Sequence, residues 1–262
     1  MIEIPFSPIA FTIGGLSVHW YGIMVALAVL TMVAWTLWQV KKGARLSYDL
    51  VLNVSLVGVP SGIIGARLLH VLDNFSYYYQ HPGEIVGGSG LAIYGAVLGT
   101  ALGIWIFSRF HRFAYGYLVD IMAPGIILAQ AVGRVGCVLN GCCYGLETDL
   151  FCGVVYTDPQ TFAPIGVAVH PTQIYEIIYD LIIFFVLLKL RGKFRPDGSL
   201  FTIYLAFYAV WRFAVDFIRE GTPFFLGLHE AQVVSLVILT ITLPLLALRT
   251  RPVRKEPPAQ EG

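Results

Sequence analysis

The stretch VHWYGIMVALAVLTMVAWTLWQV, Val18 to Val40, decides the fold. It carries no Asp, Glu, Lys or Arg, and a helix needs only about 20 apolar residues to cross the hydrocarbon core. Six more stretches of similar length follow, at Leu50–Leu72, Leu91–Phe110, Leu118–Leu139, Pro171–Leu190, Leu200–Ile218 and His229–Leu248. With 57% hydrophobic residues, 13% charged and a mean hydropathy of +0.74, the chain lies outside the range of soluble globular domains. Unpaired backbone polar groups are not tolerated in lipid, so the spans are helices rather than strands. The expectation is an all-α integral membrane protein with one seven-helix domain over residues 1–250.

Basic residues set the orientation, because cytoplasmic loops collect Lys and Arg. Lys41, Lys42 and Arg45 follow the first span, Arg109 and Arg112 the third. Lys189, Arg191, Lys193 and Arg195 follow the fifth, and Arg249, Arg251, Arg254 and Lys255 the seventh. The intervening loops hold Asp73, Glu84, Glu147, Asp149 and Asp158 and no Lys. The N-terminus is therefore expected outside and the C-terminus in the cytoplasm. MIEIPFSPIAFTIGG, with two prolines and no basic residue, is unlike a signal peptide and reads as a segment lying on the membrane surface. Residues 141–170 are expected to form a small outward-facing cap, and 251–262 a disordered cytoplasmic tail. The net charge of +1 follows from topology and gives no support for nucleic-acid binding.

Four arginines fall outside that pattern: Arg67, Arg134, Arg212 and Arg219, each near the outer end of a span. An arginine at a helix centre costs about 2.5–3.5 kcal/mol on insertion scales and so requires a partner. One reading pairs them structurally. Arg212 and Asp216 are four apart, Arg219 continues that face, and Glu176 and Asp180 share a face of the fifth span. The other reading is a shared anion, since guanidinium forks bind phosphate bidentately and a phospholipid headgroup is always present at that depth. Tyr21, Tyr94, Asn140 and the run HPTQIYE from His170 to Glu176 add polar groups, and Pro171 suits the first turn of a helix whose positive dipole end faces outward.

In order along the chain, FTIGGLSVHWYG, GARLLHVL, DIMAPGIILAQAVGRVG, NGCCYG, HPTQIYE, WRFAVDFIRE, then Gln232 and Ser235, resemble the bacterial prolipoprotein diacylglyceryl transferases. The resemblance covers nearly the whole chain. It implies a seven-helix enzyme of the bacterial cytoplasmic (inner) membrane with its active site toward the periplasm and outer leaflet. Such an enzyme moves the diacylglyceryl group of phosphatidylglycerol to the lipobox cysteine of a preprolipoprotein and releases glycerol phosphate. It implies no cofactor and no metal. Arg134 and Arg212 become the phosphate-binding catalytic arginines, Arg67 and Arg219 support them, and Asn140, Gly145, Glu176, Tyr21 and Asp216 line the site. Four positions depart from the family pattern. Tyr94 stands where a histidine is usual, Cys137 and Cys142 where an Asn and a Glu are, and Asp216 where a Glu is. A phenol with a pKa near 10 is a poorer base at neutral pH than imidazole near 6.5.

The cysteines admit several readings. Cys137, Cys142, Cys143 and Cys152 form a C-x4-C-C-x8-C pattern that matches no usual zinc spacing. Packing beside Gly133, Gly136 and Gly141 is one reading, and a disulfide that uses Cys152 or Cys137 on an oxidising face is another. A catalytic thiol at Cys137, one helical turn after Arg134, or at Cys142 is a third. Two further functions stay open alongside the transferase: a divergent phospholipid-dependent transferase with another acceptor that uses Cys137 or Cys142, and a non-catalytic lipid-binding or redox protein.

Overall fold

The computed structural model describes residues 1–87 and 90–253. Nine helices are present among them: α1 Trp20–Lys41, α2 Tyr48–Asp73, α3 Phe75–Gln80, α4 Glu84–Gly87, α5 Ile93–His111, α6 Tyr115–Asn140, α7 Thr172–Leu190, α8 Ser199–Val215 and α9 Glu230–Arg249. Each expected span has its helix, with ends displaced by only a few residues. α1, α2, α5, α6, α9, and α8 with its following turn are long and apolar enough to cross a membrane. α7 is of similar length but carries Glu176, Asp180 and Lys189. The helices are apolar outward, with Leu56 72%, Ile64 67% and Leu98 67% exposed, while Gln173, Glu176, Asp180, Asp216 and Gln232 are buried. That inversion suits a lipid surround, where polar groups must find partners inside.

Short strands connect the helices. β1 Ile2–Ile4 pairs in parallel with β4 Val154–Tyr156, which pairs antiparallel with β5 Ala168–Val169. β2 Ile9–Ile13 and β3 Leu16–His19 form a hairpin, as do β7 Pro223–Phe225 and β8 Leu228–His229. The N-terminal segment is thus strand-forming, and β1 is stitched to the 141–170 segment. β6 Phe194–Arg195 pairs with β9 Arg251–Pro252, so the segment expected to be a disordered tail begins as a strand. The rest of that tail, 254–262, lies outside the described residues.

Contacts divide the chain into two compact units, one of residues 1–35 with 119–262 and the other of residues 36–118. In the first, Ala123 and Ile127 of α6, Ile183 and Leu187 of α7, and Leu200 and Tyr204 of α8 make the apolar core. The buried face of α7 runs Gln173, Glu176, Asp180, Ile183, Leu187, polar at its start and apolar at its end. The N-terminus of α8 is capped from α6: Asp120 accepts hydrogen bonds from the backbone of Gly198 at 2.7 Å and Phe201 at 2.8 Å. Trp35 of α1 donates to the carbonyl of Ile121 at 3.0 Å and crosses α6 at Gly125.

In the second unit α2 and α5 touch backbone to backbone. Gly65 faces Gly95 and Gly99, and a Cβ on any of the three would collide with a carbonyl oxygen of the other helix. Gly95, Gly99 and Gly103 recur every four residues, the small-residue spacing that lets membrane helices approach closely.

Candidate functional site

The polar half of the α7 face and the end of α6 build the site in the first unit. Arg134 of α6 meets Glu176 of α7 at 2.6 Å, with side chains only 16% and 3% exposed. Gln130, one turn earlier on α6, donates to Glu176 at 3.2 Å and to Asp180 at 3.4 Å, and accepts from the Tyr204 hydroxyl at 3.4 Å. Removal of either charge from a buried pair of this kind leaves the other uncompensated. The guanidinium is therefore fixed in place by its own helix and by α7.

Arg212 near the end of α8 forms an ion pair with Asp216 at 3.0 Å. Its Nη1 makes that contact off the hydrogen-bond axis and has no hydrogen-bond partner among the described residues, so its donor capacity is not saturated. Asp216 uses its second oxygen on His229 Nδ1, also at 3.0 Å. His229 in turn is the N-cap of α9, and its backbone amide donates to Gln232 Oε1 at 3.0 Å. The helix that carries Arg212 ends at Val215 and tightens through a 3-10 turn over Asp216–Ile218. Arg219 does not continue the helical face, as the spacing suggested. It is extended, and it bridges Gly145.

That bridge explains Gly145. Leu146 donates to the Ile218 carbonyl and Gly145 to the His170 carbonyl, both at 2.9 Å. A Cβ at Gly145 would overlap the Ile218 carbonyl and stand 2.7 Å from His170 Cβ. The two chain segments approach as closely as they do because no side chain intervenes.

Just before Gly145 in the chain comes the cysteine turn. α6 ends at Asn140, which is buried, and the chain reverses through left-handed conformations at Gly141 (φ +68°) and Cys143 (φ +65°). The start of α7 holds this turn. Thr172 Oγ1 donates to the Cys143 carbonyl at 2.6 Å, and Gln173 Nε2 to the Cys142 carbonyl at 2.8 Å. Arg134 Nη1 lies 4.0 Å from the Cys137 sulfur. All four cysteines are free thiols, and Cys152 pairs with the Tyr175 hydroxyl at 3.4 Å instead of with another cysteine. Hydrogen bonds from Cys137 and Cys142 hold Cys143 well below the ordinary thiol pKa against the effect of burial, with Arg219 and Arg134 adding to the lowering. Cys142 is raised: its hydrogen bond with Cys137 favours the thiolate, but that with Cys143 and burial outweigh it. Burial, then the neighbouring thiols, raise Tyr156, whose hydroxyl donates to the Val138 carbonyl at 3.2 Å.

Electrostatics tie these groups into one site. Arg134 and Arg219 both act on Cys143, and Arg134, Arg212 and Glu176 all act on Tyr208. Tyr21 feels Arg134 and the three thiols, and its backbone passes Gly136 of α6. Of the residues expected from sequence, Tyr21, Arg134, Cys137, Asn140, Cys142, Gly145, Glu176, Arg212, Asp216 and Arg219 belong to this unit. Arg67 and Tyr94 belong to the other. Arg67 donates to the carbonyls of Ile85 at 2.8 Å and Gly90 at 3.0 Å, and to that of Glu84, and it lies over the Tyr78 ring. Its guanidinium holds the chain around α4. Tyr94 stands half-buried in the first turn of α5. Gln130, Asp180 and His229 were not singled out as site residues. A buried carboxamide or carboxylate in a membrane helix is itself the signal for the first two. The His229 contact arises only from the fold.

Arg134 and Arg212 are thus each paired with a buried carboxylate of α7 or of the turn after α8, Arg219 bridges Gly145, and a cluster of three thiols follows the end of α6. The model of one family, described as prolipoprotein diacylglyceryl transferase, matches residues 8–248. A Dehalococcoides mccartyi protein is 51% identical over 251 residues, covering 96% of each chain. A Clostridium tetani protein is 36% identical over 83% of this chain and 86% of its own. A Listeria innocua protein is 31% identical over 97% and 93%. All three are called phosphatidylglycerol–prolipoprotein diacylglyceryl transferase. The match spans every residue named in this site, from Tyr21 to Gln232, and the chain belongs to the prolipoprotein diacylglyceryl transferase family.

Proposed function

We propose that this protein transfers the diacylglyceryl group of phosphatidylglycerol to the lipobox cysteine thiol of a preprolipoprotein, with release of glycerol phosphate. The observation that carries the reading is the largely enclosed Arg134, which is locked by the buried Glu176 and shares Tyr208 as a neighbour with Arg212 and Cys143 with Arg219. In it the lipid phosphate binds between Arg134 and Arg212, and Arg219 faces it from the Gly145 bridge. The acceptor sulfur attacks the glycerol carbon, the C–O bond to phosphate breaks, and the charge that gathers on the departing phosphate meets cations already in place. Fixed donors of this kind contribute most because they do not reorganise during the reaction. Asn140, Gly145 and Tyr21 line the same pocket.

The membrane reading accompanies it. We infer seven crossings, with α7 as the seventh: its two carboxylates, Glu176 and Asp180, face Arg134 and Gln130 rather than lipid, and Lys189 lies in its last turn, which is how a span with three charges becomes tolerable. The N-terminus lies outside and the C-terminus in the cytoplasm of the bacterial inner membrane. Residues 141–170 then cap the outward end, where both lipid headgroup and secreted substrate arrive.

The test incubates purified protein in phosphatidylglycerol bilayers with a peptide containing a lipobox and follows both by mass spectrometry. The expected products are a diacylglyceryl thioether on cysteine and an equal amount of glycerol phosphate, and a lipobox serine peptide stays unmodified. Phosphatidylglycerol consumption without the thioether would favour a different acceptor.

The Asp216–His229 contact makes a separate prediction. His229→Ala leaves one oxygen of a buried carboxylate without its donor, an effect on the order of 1–3 kcal/mol. Transfer is expected to fall about tenfold through displacement of Asp216 and its partner Arg212, and His229→Asn to recover part of it by donating from its amide. Steady-state kinetics on the two variants check this, and equal losses in both would remove His229 from the positioning of Asp216.

A further inference from the structure

The sulfurs of Cys137, Cys142 and Cys143 all lie within 4.8 Å of one another. Three thiolates around one zinc ion at about 2.3 Å each are about 3.8–4.0 Å apart, so closure on an ion requires separations to change by only about 1 Å. The cluster is not a chance of adjacency. Cys143 reaches it through a left-handed backbone that costs a non-glycine residue roughly 1–3 kcal/mol. Thr172 and Gln173 hold that backbone by its carbonyls.

The charge balance also fits. Three thiolates on a divalent cation leave one negative charge, beside Arg134 at 4.0 Å from Cys137 Sγ and with Arg219 acting on Cys143. Among the described residues no fourth Cys, His, Asp or Glu joins the group. Structural zinc sites are closed by four protein ligands, whereas sites that act on substrate keep three and an open position. A sulfur ligand there would be deprotonated by the metal at neutral pH.

We propose that Cys137, Cys142 and Cys143 bind one zinc ion whose fourth ligand is the acceptor thiol. The proposal rests on the transferase reading and deepens it by naming what turns the thiol into a nucleophile. Loading of zinc releases the cysteine protons, and binding of the acceptor releases its proton to water. The acceptor sulfur then uses an electron pair to form the S–C bond, and the C–O bond breaks with its pair going to glycerol phosphate. The neutral thioether, a weak zinc ligand, departs. No electron is gained or lost overall. Zinc thereby supplies the activation of the acceptor thiol.

The experiment uses the full chain in phosphatidylglycerol nanodiscs with a phosphine reductant, equilibrated with zinc and, separately, with cobalt(II) as a spectroscopic probe. Elemental analysis is expected to find about one zinc per chain. Cobalt is expected to give thiolate charge-transfer and tetrahedral ligand-field bands that change when a lipobox cysteine peptide is added and stay constant with its serine analogue. Cys142→Ser and Cys143→Ser, which lie in the turn rather than in the helix, are expected to lose most of the metal, and Cys152→Ser to keep it. Substoichiometric zinc with the thiols reduced, or full zinc in both turn variants, overturns the proposal. So does undiminished thioether formation after chelation to zinc-free protein, an outcome that leaves the transferase reading standing. Metal bound and responsive to peptide without any thioether supports the ion site and overturns the transferase reading instead.

Discussion

Arg134→Ala is expected to lower diacylglyceryl transfer by at least about 100-fold, the scale of losing one fixed donor to a developing oxyanion. It should also unsettle the protein, because Glu176, with its side chain 3% exposed, keeps its charge and loses its counter-ion. A buried pair broken on one side costs roughly 3–5 kcal/mol. These two effects separate in the double variant Arg134→Ala with Glu176→Gln. The charge is then gone from both helices, and Gln130 can still bond the residue at 176. Unfolding in detergent should return most of the way to wild type while transfer stays absent. Arg134→Lys keeps the charge but not the planar fork, and it should fall between the single variant and wild type. Recovery of transfer in the double variant would reduce Arg134 to a structural counter-ion of Glu176.

Gly99→Leu is expected to unfold the second unit. A single added Cβ at Gly99 already overlaps the Ser61 carbonyl oxygen and stands 2.9 Å from Gly65 Cα, where real Cβ contacts are not found. The obstacle is backbone, so no rotamer change on α2 relieves it. Overpacking typically costs about 1–3 kcal/mol. Here the cost is at the upper end, because helix association in lipid depends on close van der Waals contact rather than on exclusion of water. Gly99→Ala should show a smaller loss of the same sign. Leu98→Ala, next along the chain but 67% exposed toward the apolar surround, should change the midpoint little. Thermal unfolding followed by tryptophan fluorescence or by protease sensitivity of the 36–118 unit compares the three. Equal midpoints for Gly99→Leu and Leu98→Ala would contradict the close approach of α2 and α5.

Lipid-compatible helices are legible in sequence for a simple reason: the bilayer leaves apolar runs of this length no other regular structure. All seven expected spans appear as helices, with ends shifted by a few residues where Ser199 or Trp20 rather than the first leucine or valine begins the turn. The arginines near the span ends are legible too, since a charge in an apolar run stands out against its cost. What escaped is non-local. β1 is three residues long and finds its partner β4 some 150 positions later, a pairing that no local pattern encodes. Arg67 carries the same sequence signal as Arg134, yet its donors go to carbonyls around α4. His229 becomes part of the site only because the turn after α8 presents Asp216 to the start of α9. The cysteine spacing matches no usual metal pattern, and the cluster exists because residues thirty positions downstream hold Cys143 in a left-handed turn.

The most direct measurement of the central claim locates the lipid headgroup. A phosphatidylglycerol carrying a photoreactive group on its terminal glycerol is cross-linked to the purified protein in bilayers, and the modified peptides are mapped by mass spectrometry. Adducts are expected in the segments around Arg134 to Gly145 and Arg212 to Arg219, suppressed by unlabelled phosphatidylglycerol and lost in Arg134→Ala with Glu176→Gln. Adducts confined to other segments, or unchanged in that folded double variant, would contradict the claim.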